Sequence, residues 1–185
     1  IFDTEKLAWM NWQWQKKKYL ESVEGVPEKH LQKAKAEKLL AMCEAHLSPE
    51  LKKDHEKLLR ALITIEEKIL QDPKKVLSHL HFYFEGFEVP QDILLNPKMG
   101  VTRENIKPTL KAAYDELSKW DDFSSPDALQ KPLLSAVEKL DCKKGQVLWL
   151  VRVILTGQQF TPGVFEVMCL YGKNETLEKL EKTIV

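Results

Sequence analysis

The chain has 185 residues, of which 43% are hydrophobic and 30% charged, with 28 basic and 28 acidic side chains. That apolar content is enough to bury a core in one domain or two small helical subdomains, and it excludes a disordered or fibrous chain. The cancelled charge excludes whole-chain electrostatics as the driver of nucleic-acid binding, so any contact with a polyanion has to be local. Helical periodicity dominates from end to end and no alternating strand pattern emerges, which predicts an all-α fold.

In chain order, the first helix is predicted over Thr4 to Leu20, where Leu7, Trp9, Met10, Trp12, Trp14 and Tyr19 crowd together ahead of and around Lys16, Lys17 and Lys18. Pro27 opens a second segment with Leu31, Ala34, Leu39, Met42 and Cys43 on one face. Ser48-Pro49 reads as an N-cap with proline at the first helical position, opening one long helix through Leu51, Leu58, Leu62 and Leu70. Asp72-Pro73 ends it, and a short helix follows over Val76 to Tyr83. The stretch Glu85 to Gly100 holds two prolines and two glycines and reads as a turn-rich connection. The subdomain boundary is placed there, giving units 1–95 and 96–185. Beyond it, helices are expected over Thr102 to Trp120 and Asp127 to Leu140, the second opened by Ser125-Pro126 and carrying Pro132 in its second turn. Three more follow over Gly145 to Thr156, Pro162 to Tyr171 and Glu175 to Thr183.

Cys43, Cys142 and Cys169 are odd in number and widely spaced, which fits a reducing compartment and a cytoplasmic protein rather than a disulfide framework or a zinc site. His79 and His81 lie two apart, a poor spacing for a shared metal on a helix, so no metal site is expected. No apolar run approaches a membrane span, and no signal segment opens the chain. Catalytic patterns are missing too: there is no glycine-rich phosphate loop and no nucleophile with a base in order. Acidic neighbours such as Glu66-Glu67 diverge on a helix and read as solvated charge.

The most informative stretch is Lys143 to Val185. From Val147 to Leu155 every residue except Arg152 is apolar, so the helix has to be largely buried with a guanidinium inside it. Such a group needs a partner. A core carboxylate such as Glu166 is one candidate, and a ligand is another. Gly157 marks the helix end, and Thr161-Pro162 reads as the N-cap and first residue of the next helix. Basic residues number six against four acidic over this stretch, a mild local surplus. Lys143 and Lys144 stand at a helix start, where cations oppose the dipole and a phosphate would relieve them.

The pattern K-x-G followed by L-V-R-x-x-L-T-G, then T-P-G-x-F-E and L-x-G-K, resembles the C-terminal anticodon-binding domain of bacterial-type glutamyl-tRNA synthetases. The opening FDTEKLAWMN, Phe2 to Asn11, is similar to the tract that leads out of the catalytic half in that family. A start at Ile1 rather than Met fits a piece of such an enzyme. The resemblance implies two helical subdomains forming an anticodon-binding cage, with glutamate tRNA as partner and ATP and Mg used only by a catalytic half outside the chain. It implies anticodon contact by Arg152, Thr161, Pro162, Val164 and Phe165; for Lys143 and Lys144, the dipole argument makes tRNA backbone phosphates the expected partners. Thr161 could equally be a plain cap, and Phe165 a core residue. It also implies a monomer whose Trp9 and Met10 pack against the catalytic half. H-I-G-H and K-M-S-K-S, by which such enzymes hold ATP, are absent, so the chain itself is expected to be non-catalytic.

Two departures bear on specificity. Family members that separate glutamate from glutamine tRNA carry an arginine where Ile65 or Glu66 falls, and neither can supply its donors, so relaxed selection that includes glutamine tRNA is expected. Leu150 stands where the family often has proline. Two other readings stay open: the similar domain of a class I lysyl-tRNA synthetase, and a helical protein-interaction scaffold without RNA, which the zero net charge favours.

Overall fold

The structure, a computed structural model, describes residues 3–159 and 161–184; Phe2 of the opening motif lies outside them. Among the described residues regular structure is helical, with one isolated antiparallel bridge between Asn96 and Val101. The all-α expectation holds. The chain divides into two compact units, Ile1–Phe84 and Glu85–Val185.

The first unit contains α1 (Thr4–Ser22), α2 (Glu28–Cys43), α3 (His55–Thr64), α4 (Glu66–Gln71) and α5 (Val76–Phe84). Its core is built by Leu39, Leu58, Leu62, Ile69 and Leu80, all fully buried. Each such leucine contributes roughly 1.5 to 3 kcal/mol through removal from water. The single long helix expected after Ser48-Pro49 is not formed. Asp54 caps α3 instead, its carboxylate accepting from the Lys57 N–H at 3.0 Å. The run then breaks at Ile65, whose backbone leaves helical geometry. Just before the break, the Thr64 hydroxyl donates to the Ala61 carbonyl at 2.7 Å, a side-chain bond that competes with the helix ladder.

The second unit contains α6 (Gln91–Leu94), α7 (Arg103–Ser118), α8 (Pro126–Leu140), α9 (Lys144–Thr156) and α10 (Val164–Ile184). Thr102 and Asn105 close a capping box on α7, and Ser125 caps α8 from its hydroxyl. Helix α8 runs on through the buried Pro132. The two last predicted helices are joined, and the backbone departs from helical geometry within them only at Gly172, at φ 70°. The break between units falls at Phe84, ahead of the 95/96 boundary read from the sequence. The reason is bonding: segment 85–95 belongs to α9, because the Trp149 indole N–H donates to the carbonyls of Ile93 and Leu94, each at 3.2 Å. Leu94 is itself buried.

Candidate functional site

Helix α9 is apolar on three sides, and its neighbours α7, α8 and α10 cover them. Val147, Leu150, Val151, Val153 and Leu155 are fully buried. Gly145, Leu148, Trp149 and Arg152, spaced three and four apart, form the less buried face. The helix ends where Gly157 turns left-handed at φ 65° and returns its N–H to the Val153 carbonyl at 2.8 Å. A Cβ at this glycine would stand 2.6 Å from the Phe87 ring. Backbone sign and space therefore both demand glycine.

Arg152 lies one turn before that end, half-buried. Burial lowers its pKa from the ordinary guanidinium value. The Nε atom is buried without a hydrogen-bond partner. Among the described residues the side chain makes no ion pair, with Glu166 or with any other carboxylate, so the core-pair alternative is not realised. What lies against it is Trp149: the guanidinium carbon is 5.1 Å from the indole centroid. A contact of this kind is worth about 1 kcal/mol, against a cost of about 1 to 3 kcal/mol for a buried donor left unmade. The site therefore holds a permanently charged group with one buried donor unmet. Trp149 was not singled out in the sequence. The signal was its position three residues before Arg152.

The start of α10 differs from expectation. Helical geometry begins at Val164, so Gly163 takes the cap position and Thr161 and Pro162 precede the helix. The Gly163 carbonyl accepts from Val167 at 3.1 Å. The Thr161 hydroxyl donates to the Pro162 carbonyl at 3.0 Å rather than accepting from a helix N–H. The space that a side chain at 163 would take is filled by the Glu166 carboxylate. Thr161, Pro162 and Phe165 are half-buried and Val164 is buried at 6% exposure. Phe165 is therefore partly exposed, whereas Val164 belongs to the core. Helices α9 and α10 pack on one another, so Arg152 and the 161–165 segment belong to consecutive packed elements.

Lys143 caps α9 and Lys144 is its first residue, both exposed. In the first unit, Ile65 is buried at 2% exposure, and Glu66 pairs with Lys35 at 3.7 Å. Glu66 also faces the buried Tyr19 hydroxyl, whose pKa is pushed up by burial first and by this carboxylate second. Arg60 is exposed on α3. Trp9 and Met10 are exposed at 58% and 54%. Among the described residues no group of three or more His, Cys, Asp or Glu is placed to hold a metal, and no helix is long and apolar enough to cross a membrane.

Glutamate–tRNA ligases are the chain's relatives. That of Clostridium botulinum strain Loch Maree is 28% identical over 182 residues, covering 98% of this chain and 34% of the relative. That of Clostridium kluyveri is 30% identical over 185 residues, with 98% and 34% covered. The chain thus spans about a third of their length. In fold it is similar to a glutamate tRNA ligase from Elizabethkingia meningosepticum, solved in complex with its amino acid, at a TM-score of 0.65 and 20% identity over 99% of this chain and 32% of that one. A glutamate-tRNA synthetase from Elizabethkingia anophelis superposes at a TM-score of 0.61, also at 20% identity. None of these favours the lysyl or scaffold alternative. A family model described as an anticodon binding domain matches residues 14–184, nearly the whole chain and both units, and the chain belongs to that anticodon-binding domain family.

Proposed function

We propose that this chain is the anticodon-reading part of a cytoplasmic glutamate–tRNA ligase, and that Arg152 reads an anticodon base. The observation that carries the reading is the guanidinium of Arg152, half-buried on α9 with an unbonded Nε and no carboxylate partner among the described residues. Loop bases are recognised when splayed out, laid on apolar or aromatic surface and hydrogen-bonded along their edges. Arg152 offers the donor fork. Pro162 and the exposed part of Phe165 offer surface, and Thr161 a hydroxyl, while Val164 supports them from the core. Ligation with ATP and Mg belongs to parts of the relatives that the chain does not span. The exposed Trp9 and Met10 fit docking of a monomer onto that catalytic part. Lys143 and Lys144 hold tRNA phosphates.

Selection of glutamate tRNA is relaxed toward glutamine tRNA in this reading. A buried Ile65 and a Glu66 engaged by Lys35 leave no donor fork at the place where strict selection needs one. Binding of labelled anticodon stem-loops of both tRNAs at low salt tests the proposal. Arg152→Ala is expected to lose about 1 to 3 kcal/mol for matched anticodons alone, on the scale of a good bidentate base contact. Equal binding by both proteins overturns the assignment. Rejection of the glutamine stem-loop by an order of magnitude overturns relaxed selection.

A further inference from the structure

A base-reading guanidinium has to be held to within roughly 10–20° of its productive direction, yet arginine carries about 2 kcal/mol of rotamer entropy and here no carboxylate fixes it. We propose that Trp149 is the positioning residue of the site: its indole, pinned by two backbone carbonyls, is the platform that orients Arg152 while leaving the guanidinium edge free for an anticodon base. The inference rests on the reading of Arg152 as a base contact.

The geometry supplies each step. Trp149 lies three residues before Arg152 on the same face of α9, with the guanidinium carbon 5.1 Å from its centroid. The ring cannot turn freely, because its N–H is shared between the Ile93 and Leu94 carbonyls at 3.2 Å each. Those carbonyls close the four-residue helix α6, whose last acceptors have no partner within the helix. One turn earlier the Met99 side chain packs where a Cβ of Gly145 would stand, 2.8 Å from its sulfur. Segment 91–99 therefore braces this face of α9. An aromatic platform does what a carboxylate would not. A carboxylate takes the N–H edge of the fork, the edge a base needs, whereas a π face attracts the cation from above and leaves in-plane donors available.

Two measurements on the full chain separate this inference from the reading beneath it. Without ligand, the Arg152 Nε–H resonance is expected to carry a ring-current shift that Trp149→Leu removes and Trp149→Phe largely keeps. No change on Trp149→Leu overturns the platform. With ligand, discrimination between the matched glutamate stem-loop and one changed at a single anticodon base is expected to fall about three- to tenfold in Trp149→Leu, a loss on the scale of one cation–π contact. It should change less than about twofold in Trp149→Phe, since the ring remains. Trp149→Leu should add no further loss of discrimination on top of Arg152→Ala. If Arg152→Ala removes discrimination and Trp149→Leu does not, positioning by Trp149 is overturned and base reading stands. If Arg152→Ala leaves discrimination intact, base reading falls and the inference with it. Should Trp149→Leu fail to fold, Trp149→Met takes its place under the same outcomes.

Discussion

Glu116 and Arg152 carry charge into packed helices in opposite ways. The Glu116 carboxylate, on α7, accepts from Lys139 at 2.6 Å, from the Ser135 hydroxyl at 2.7 Å and from Lys119 at 3.2 Å. These donors, Lys139 first, hold its pKa down to about 2. A depressed folded pKa contributes stability above the unfolded value, near 4.3, and loses it as pH falls toward the folded one. Wild type should therefore lose about 1 to 2 kcal/mol relative to Glu116→Gln between pH 5 and pH 2, the lower part of the range for charged hydrogen bonds because both lysines are exposed. Urea melts at both pH values measure it, and parallel curves for the two proteins would contradict it. Arg152 has no such set of partners, and the proposed base contact would supply one. Arg152 was legible in the sequence because one charge interrupts an apolar run. Trp149 was not, since an aromatic within such a run reads as core, and its proposed role depends on carbonyls more than fifty residues earlier.

Among the elements, those whose ends are set locally were legible. Gly157 and Ser125-Pro126 carry their own stop and start chemistry, and α8 and α9 lie within a residue or so of expectation. Elements fixed by a competing side chain were misread. Asp54 captured the cap expected of Ser48 and Thr64 helped to end α3, while α10 starts at Val164 rather than at Pro162. Gly157→Ala tests how much the stop matters. A left-handed alanine costs about 1 to 2 kcal/mol, and the Phe87 ring 2.6 Å away has to shift as well. A stability loss of about 2 kcal/mol or more in urea is expected on those grounds. A loss below about 0.5 kcal/mol, the range of an ordinary surface change, would show that the turn adapts.

For the whole molecule, zero net charge had favoured a scaffold without RNA, and the family match across both units outweighs it. Recognition is then expected to depend on placed donors more than on a general field. Lys143 and Lys144 are expected to supply the salt dependence, with a double alanine variant flattening the log–log slope by roughly 0.7 to 0.9 per lost phosphate contact. An unchanged slope would remove them from the interface.

The exposed face of helix α1 bears on solubility as well. Tyr19 and its neighbours face α4, while Leu7, Met10 and Trp14, one helical turn apart on the opposite side, stay more than half exposed. A helix that is apolar on two sides, with only one covered by its own unit, is sticky. Apolar attraction strengthens on warming from the cold. Heated chain should therefore begin to scatter light below its unfolding midpoint, and Trp14→Glu should raise that onset while leaving the midpoint nearly unchanged. On this expectation, one helix face sets the colloidal limit of the protein and the cores of its two units its folding limit.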